Sequence, residues 1–378
     1  MRRLLLPLAA LLALALPAAA RAQGGPNACE LVRQQGNWQS IGDPANRVIS
    51  AQGPLLVRCS GGEELRADSA VIYQTINEVH LFRQVDYQDA TRALTSDQAT
   101  YNSQTGRLYA TGNVVFTDKT RGTTLRGPEL EYFKAMAGRP EPQAIATQRP
   151  HLTIVPKSDR GGRRRSPMEV DADRVTSVGE RYVTAEGNVV IVSDDVRSTA
   201  AEAFYDSDAE RTELRRQAFV DHKDYDLSGD YIETTLKEGV IQKVIARTDA
   251  HLVSEKLDVR GPQLQLFFER ELLQRMISSN EPGKGSGRSI ALAKGFRMEA
   301  DSIEALSPEQ KLRQVNAVGA ARGESWDTLA TPRPVIADSA GRDTSTVRNV
   351  ALRPATEPPA AVEEKDLLLA DTIVGFFR

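Results

Sequence analysis

The sequence predicts an all-β chain made of stacked repeats. Three observations predict it: a recurring phrase, a change of apolar phase within that phrase, and a second phrase that follows it. The first phrase reads apolar, any residue, small, usually Asp or Pro, any residue, apolar. Its anchor positions Asp68, Asp97 and Pro128 are separated by 29 and 31 residues, and a fixed period near this length indicates repeats that stack on their neighbours. Copies of the phrase begin at Leu65, Leu94, Leu125, Val170, Val196, Leu227, Val259, Met298 and Leu368.

The apolar phase changes inside each phrase. In the first copy, Leu65 and Ala67 share one parity, whereas Ala70 and Ile72 share the other. Because the side chains of a strand alternate between its two faces, this change predicts a bulge or a corner at Asp68. Asp can hydrogen-bond a turning backbone, and Pro fixes φ where no ladder donor is needed. The recurring aspartates are therefore interpreted as structural rather than catalytic.

A second phrase begins about fifteen residues after the first. It spans residues 108–116 and 182–190, with a weaker copy at residues 315–320. Its Gly-Asn pair predicts a tight bend with positive φ between two strands. Polar turn residues lie between the two phrases. Each unit is thus predicted to be two antiparallel strands, each bent once and joined by a polar turn.

Residues 1–22 have the pattern of a secretory signal. Arg2 and Arg3 precede an apolar run over residues 4–16, and a small-x-small cleavage site follows at residues 20–22. The run is short for a membrane span, and its flanks match a cleaved signal. We therefore expect the mature protein to be soluble and to lie outside the cytoplasm. The formal net charge of −3 gives no signature of nucleic-acid binding.

The chain contains two cysteines, Cys29 and Cys59. Two cysteines in an exported protein usually form a disulfide. Such a bond would contribute about 3 kcal/mol in the chain-entropy model and would hold the N-terminal segment on the first repeat. A reactive thiol pair is the alternative, which the absence of a CxxC spacing and of a βαβ context disfavours.

The spacing of the repeats divides the chain into segments. Within the second run of repeats, residues 267–277 have a helical composition that is compatible with a cap on the stack or with a longer strand and turn. A degenerate copy of the first phrase lies at residues 335–340. The predicted segments are an N-terminal lead-in (23–63), a first run (64–155), a basic linker (156–167), a second run (168–320), a loosely ordered Pro- and Ala-rich segment (321–366) and a terminal strand (367–378).

Four stretches of the chain resemble the repeats of the OstA-like family, namely residues 94–101, 108–114, 168–173 and 185–189. The domain of this family occurs in the periplasmic lipopolysaccharide-transport protein LptA and in the periplasmic part of LptD. The resemblance covers residues 64–320. It implies an elongated open β-jellyroll, which is a V-shaped stack of antiparallel bent strands with an apolar groove that binds the acyl chains of lipopolysaccharide. It also implies a non-enzymatic protein that joins similar proteins end to end.

The two edges of an open stack carry unpaired backbone groups that can pair with the strand of a partner. The expected partners are lipopolysaccharide or another acylated glycolipid, other Lpt-type jellyroll proteins at the inner and outer membranes, and a second copy of the chain in head-to-tail association. Nucleic acid is not expected as a partner. The terminal strand is predicted either to dock a partner or simply to close the stack.

Apolar residues that alternate along the predicted strands are candidates for the groove, although most of them also fit an ordinary core. The basic run in the linker is a candidate for contact with lipid phosphates, with a solvated linker as the alternative. The phosphate-contact candidates are Arg163, Arg164 and Arg165. The groove candidates are Ile72, Tyr101, Val114, Phe116, Tyr132, Val189, Ile191, Phe204, Ile232 and Leu266.

The sequence shows no catalytic or metal-binding pattern, and it predicts no enzyme activity and no cofactor. None of the common nucleophile, phosphate-loop or zinc motifs occurs. The leading function is a periplasmic lipid-binding bridge that contributes to outer-membrane assembly. The alternative is a structural β-solenoid or interaction scaffold of the envelope without lipid cargo, which a tightly filled interior would favour. The four histidines are scattered without metal-ligand spacing, at His80, His151, His222 and His251.

Overall fold

The chain folds into one long antiparallel sheet, which confirms the all-β prediction. The computed structural model describes residues 29–43, 46–155, 166–280, 287–308, 311–326 and 366–377. Within these residues there are twenty-four β-strands and one 3-10 turn, Gln74–Ile76. The first twelve strands are β1 Cys29–Gln34, β2 Trp38–Ile41, β3 Val48–Cys59, β4 Glu64–Tyr73, β5 Glu78–Gln88, β6 Arg92–Asn102, β7 Arg107–Asp118, β8 Thr124–Phe133, β9 Gln143–Thr147, β10 His151–Ile154, β11 Met168–Asp171 and β12 Arg174–Val178. The others are β13 Tyr182–Ser193, β14 Val196–Asp206, β15 Arg211–His222, β16 Tyr225–Lys237, β17 Val240–Ser254, β18 Leu257–Glu269, β19 Leu272–Ser279, β20 Ser289–Ala293, β21 Phe296–Ala300, β22 Ser302–Leu306, β23 Gln314–Ser325 and β24 Asp366–Phe376.

Consecutive layers of the sheet pair antiparallel, so that the sheet is a linear stack. Five of its layers consist of two strands that meet end to end. β8, for example, pairs through residues 129–133 with β9 and through residues 124–126 with β10. The same division occurs for β1 with β2, β11 with β12, β19 with β20 and β21 with β22. The twenty-four described strands therefore make nineteen layers.

Each long strand is bent once near its middle, as the change of apolar phase predicts. In β6 the ladder register shifts between Thr95 and Gln98. The inward-facing residues change parity at this shift, because Leu94 is buried before it, and Ala99 and Tyr101 are buried after it. The corner predicted from the sequence is confirmed.

The corners divide the stack into two arms. Arm A contains residues 48–52 of β3 and the segments that continue their ladder, and arm B contains residues 55–59 and the segments that continue theirs. The turns at the free ends of the two arms approach each other on the side opposite the corners. We name this side of the stack the mouth.

The two recurring phrases meet at the corners. Gly112 and Asn113 of β7 have φ values of 75° and 48°, as the Gly-Asn pair predicts. Asp97 of the neighbouring β6 accepts a hydrogen bond from the side-chain amide of Asn113 at 2.8 Å. A Cβ on Gly112 would lie 2.4 Å from Asp97 Oδ2. The left-handed residues of the corner thus belong to the second phrase, and the aspartate of the first phrase packs against them from the next layer.

The same contact between a Gly-Asn pair and an aspartate of the neighbouring layer recurs farther along the stack. Gly187 and Asn188 have φ values of 76° and 45°, and Asn188 donates to Asp173 Oδ2 at 2.8 Å. In the weaker copy, where alanine follows Gly319, Arg288 takes over: its Nη1 donates to Asp301 Oδ1 at 3.0 Å. The recurring aspartates are partners of the bend, in agreement with their structural interpretation.

The structure also decides the open questions on segment boundaries. Residues 267–277 form the end of β18 and most of β19, so the stretch of helical composition is a strand and turn. Residues 321–325, which the sequence assigns to the loosely ordered segment, instead complete β23 and pair with β24. The predicted signal (1–22), residues 156–165 of the basic linker and the degenerate repeat lie outside the described residues.

Candidate binding groove between the two arms

The two arms enclose a continuous apolar interior, into which nine of the ten groove candidates point. Their exposed fractions lie between 0% for Leu266 and 8% for Ile191. These nine residues are Ile72, Tyr101, Val114, Phe116, Tyr132, Val189, Ile191, Ile232 and Leu266. They are buried core residues of the stack. The sequence also allowed this interpretation, because most groove candidates fit an ordinary core.

Phe204 lies on the outer face, contrary to its selection as a groove candidate. The ladder register of β14 shifts between Thr199 and Glu202, and the inward parity beyond this corner belongs to Ala203, which is 6% exposed. Phe204 instead stacks on Tyr182 with ring centres 5.7 Å apart. The selection of Phe204 was wrong because the corner between Thr199 and Glu202 determines which residues of β14 face inward, and beyond it these are the odd-numbered ones.

Aromatic side chains fill the interior of the first part of the stack (β4–β10). Tyr87 of arm B and Tyr101 of arm A have ring centres 5.7 Å apart, and Phe116 of arm B lies 5.0 Å from Tyr132 of arm A. Burial raises the pKa of each of the three tyrosines. The two arms are therefore packed against each other here through large buried rings.

Polar contacts cross the mouth of this first part. Lys134, in the turn after β8, forms an ion pair with Glu63, in the turn before β4, and donates to the carbonyl of Gly61 at 2.9 Å. Glu63 is only 3% exposed. Farther along, Arg121 of arm B lies 3.2 Å from the carboxylate of Glu180 of arm A. Polar contacts thus join the two arms across the mouth at two places.

Beyond the Arg121–Glu180 contact, which joins the two parts, apolar contacts cross the mouth of the second part (β11–β24 and Phe377). Tyr225 of arm B and Phe268 of arm A have ring centres 6.4 Å apart, and Phe296 and Phe377 lie 4.9 Å apart. Other partly buried apolar side chains pack against the core along the same opening. They include Met168, Val183, Val196, Tyr205, Ile241 and Leu273. This part of the mouth is apolar and half open to solvent.

Both ends of the described stack expose apolar side chains. At the C-terminal end, β24 pairs with β23 and presents Leu369 and Phe376, which are 71% and 76% exposed. At the N-terminal end, Trp38 of β2 is 56% exposed. Cys29 of β1 and Cys59 of β3 are ladder partners joined by a disulfide, which fixes this end layer to the next one.

Two family models match the chain. A model described as OstA-like protein matches residues 39–138, and a model described as LptA/(LptD N-terminal domain) LPS transport protein matches residues 93–240. The chain belongs to the OstA/LptA-like lipopolysaccharide-transport family. No curated protein matches the chain. The residues matched to the family include both Gly-Asn corners and the turns that carry Arg121, Lys134 and Glu180.

The OstA/LptA-like family gives the protein a role in lipopolysaccharide transport in the periplasm, and the matched models describe transport and binding proteins rather than enzymes. Among the described residues, no helix is long and apolar enough to span a membrane. In the same ranges, no group of three or more His, Cys, Asp or Glu residues is placed to hold a metal ion. The phosphate-contact candidates Arg163, Arg164 and Arg165 lie outside the described residues.

Sequence reasoning missed the residues that cross the mouth. Lys134 and Glu63 are 71 residues apart, and Arg121 and Glu180 are 59 residues apart. All four lie in or beside polar turns, where charged residues are common and carry no local signal. Only the turn-to-turn geometry of the folded stack identifies them.

Proposed function

We propose that the protein is a periplasmic bridge that carries lipopolysaccharide, or a related acylated glycolipid, toward the outer membrane. The acyl chains would lie in the interior of the second part, with the head group outside the mouth. The observation that carries this proposal is the apolar, half-open mouth of the second part in a chain of this family.

The energetics of the second part suit an acyl cargo. Burying an acyl chain contributes about 0.8 kcal/mol for each methylene removed from water. Phe268, Tyr225 and Leu273 already expose apolar surface along the opening, so that a chain that inserts there covers protein surface as well as its own. The filled interior at Tyr87 and Tyr101, which are 0% and 1% exposed, offers a chain no comparable surface.

The dimensions and the edges of the stack suit a bridge. Nineteen layers at about 4.8 Å per layer span roughly 90 Å. Within the described residues β24 pairs with β23 alone, and a terminal strand of this kind adds the strand of a partner by β-augmentation. We propose that β24 and the β1–β2 layer dock other Lpt-type jellyroll proteins, or each other in a head-to-tail pair of copies.

The test is native mass spectrometry with lipid extraction on the mature protein purified from its own periplasm. We expect co-purified lipopolysaccharide or another acylated glycolipid in the wild type, and about tenfold less of it in Phe268→Asp, because a carboxylate would then lie among the chains. Phe267→Asp is the matched control, since Phe267 is the preceding residue, faces outward and lies under Lys243, whose Nζ is 5.1 Å from the ring centre. Equal lipid in the two variants would contradict the proposed groove.

The filled first part favours a second candidate, an envelope scaffold without lipid cargo. Tyr87 and Tyr101 are 0% and 1% exposed, as expected for a stack that serves only as a spacer. The same measurement separates the two functions. A wild-type protein that stays free of lipid, even after incubation with purified lipopolysaccharide, would support the scaffold and reject the carrier.

A further inference from the structure

A cleft opens at the mouth where the first part of the stack meets the second. Including the part open to solvent, it contains about 670 Å³, but the centre of a water molecule can occupy only about 70 Å³ of it. Since one water needs roughly 10–15 Å³ of such space, the cleft admits about five to seven water-sized groups. This volume is that of a small group or of the end of a hydrocarbon chain. Its apolar floor is formed by Phe116, Leu125, Leu152, Ile154 and Val183.

Arg121 crosses the top of this cleft. Its guanidinium lies 3.2 Å from the carboxylate of Glu180 and 3.2 Å from Ser207 Oγ, both on the opposite arm. It also donates to the carbonyl of Glu180. Arg121 and Glu180 both line the cleft, and the bonds between them join the two arms across it. We name the Arg121–Glu180 contact the clasp.

The turn that carries Arg121 is held in place from below. Asp118 Oδ1 accepts hydrogen bonds from the backbone N–H groups of Thr120 and Arg121, at 2.8 and 3.2 Å. Asp118 is itself paired with Arg92 at 2.9 Å, and the side chains of these two residues are 12% and 6% exposed. The base of the clasp is therefore fixed, whereas the Arg121–Glu180 pair, with side chains 24% and 41% exposed, can exchange with solvent and ligand.

We infer that this cleft binds the end of one acyl chain of an anionic amphiphile, and that the clasp opens to admit the chain. The anionic group then replaces Glu180 as the partner of Arg121. Cleft and cation together match such a ligand, because the apolar floor accepts the hydrocarbon and a guanidinium at the rim accepts a carboxylate or phosphate. The inference deepens the proposed lipid-carrying function and rests on it for the natural ligand.

The experiment measures stopped-flow uptake and equilibrium binding of cis-parinaric acid, a fluorescent single-chain fatty acid, by the full chain. Glu180→Gln should take up the probe about three- to fivefold faster and bind it at least as tightly, because the ion pair is lost and Arg121 keeps only its bonds to the carbonyl of residue 180 and to Ser207 Oγ. Arg121→Gln should take it up faster by a similar factor but bind it about three- to fivefold more weakly, because the cation is lost. Faster uptake in both variants with weaker binding only in Arg121→Gln distinguishes a clasp that binds the ligand from an ion pair that is only structural.

Arg107→Gln is the matched control, because Arg107 pairs with Glu131 on the outer face at 2.5 Å; it should leave both quantities unchanged. Wild-type uptake in both clasp variants, or an equal loss of affinity in both, would overturn the inference. Far-ultraviolet circular dichroism verifies that the variants are folded.

A second pair of variants locates the probe in the cleft. Val183→Trp fills space at the floor of the cleft and should lower the affinity about fivefold or more. Val192→Trp lies on the same strand at a position 37% exposed and should have no effect. Equal binding by the two variants would overturn the assignment. If the protein carries no lipopolysaccharide but its uptake of the probe depends on the clasp, the proposed cargo is rejected and the proposed site is retained.

Discussion

The first and second parts of the stack share the same repeat and the same corner but close their interiors in different ways. All the buried aromatic side chains of the described residues, Tyr87, Tyr101, Phe116 and Tyr132, lie in the first part. The inward aromatic residues of the second part, such as Tyr225 and Phe268, are only partly buried.

The mouths of the two parts differ in parallel with their interiors. The first part is tied by Lys134 and Glu63, whereas Phe268 and Tyr225 meet across the second. This comparison teaches that the capacity to take an apolar cargo is not a property of the fold alone. It depends on the size of the inward side chains and on the polarity of the residues at the mouth, both of which vary from repeat to repeat.

The largest expected effect tests the filling of the two interiors. Tyr101→Ala removes a ring that is 1% exposed and should lower the free energy of unfolding by about 3–5 kcal/mol. Phe268→Ala, at the half-open mouth, should cost about 1–2 kcal/mol. Denaturant unfolding measures both, and hydrogen exchange shows whether the loss for Tyr101→Ala falls on β5–β8. Equal costs would mean that the two interiors are equally packed.

The next effect concerns the tie across the first mouth. Lys134→Met leaves the carboxylate of Glu63 buried without its cation and should cost about 2–3 kcal/mol, because an uncompensated buried charge is expensive. The control is Arg275→Met on the outer face. It breaks the pair with Glu304 at 48% and 27% exposure and should cost less than about 1 kcal/mol. If both variants unfold at the same denaturant concentration, Lys134 does not tie the mouth.

A smaller effect tests what the two parts have in common. Gly112→Ala and Gly187→Ala should each cost about 1–3 kcal/mol, because both glycines have positive φ and face an aspartate across the corner. Gly138→Ala is the control, since Gly138 also has positive φ but has no atom within 4 Å of an added Cβ. A cost for Gly112 and Gly187 no larger than that for Gly138 would remove the role of the aspartate contact.

The corners and strands could be predicted from the sequence because both are local patterns. Parity along β6 and the Gly-Asn pair at Gly112 are read from neighbouring residues, and they fixed the bend and the antiparallel pairing correctly. The interior could be predicted only in part, because Phe204 shares the apolar character of the groove candidates and differs from them only in its distance from a corner.

The clasp and the tie could not be predicted, because they join turns that are far apart in the chain. Arg121 and Glu180 are neighbours only after the layers between β7 and β13 have stacked. Their charges alone are typical of any solvated turn. The contrast between the two mouths is therefore a property of the folded stack that no single repeat reveals.

The smallest effect sharpens the comparison through pH. Burial lowers the pKa of His222, which stacks on Tyr225 with ring centres 4.8 Å apart at the second mouth. The folded state therefore favours the neutral ring. This contribution to stability is fully present above the ordinary histidine pKa of about 6.5 and is lost as the pH falls through the lowered pKa of the folded state.

Acidification from about pH 7.5 to about pH 5 should accordingly lower the melting temperature of the wild type more than that of His222→Phe, which keeps a ring on Tyr225 but does not titrate. Hydrogen exchange at the two pH values should place the change in β15 and β16. An identical pH dependence in the two proteins would show that protonation of His222 does not loosen the second mouth. A loosening confined to these strands would mean that acid acts on the half-open part of the stack while the tyrosine-filled part keeps its packing.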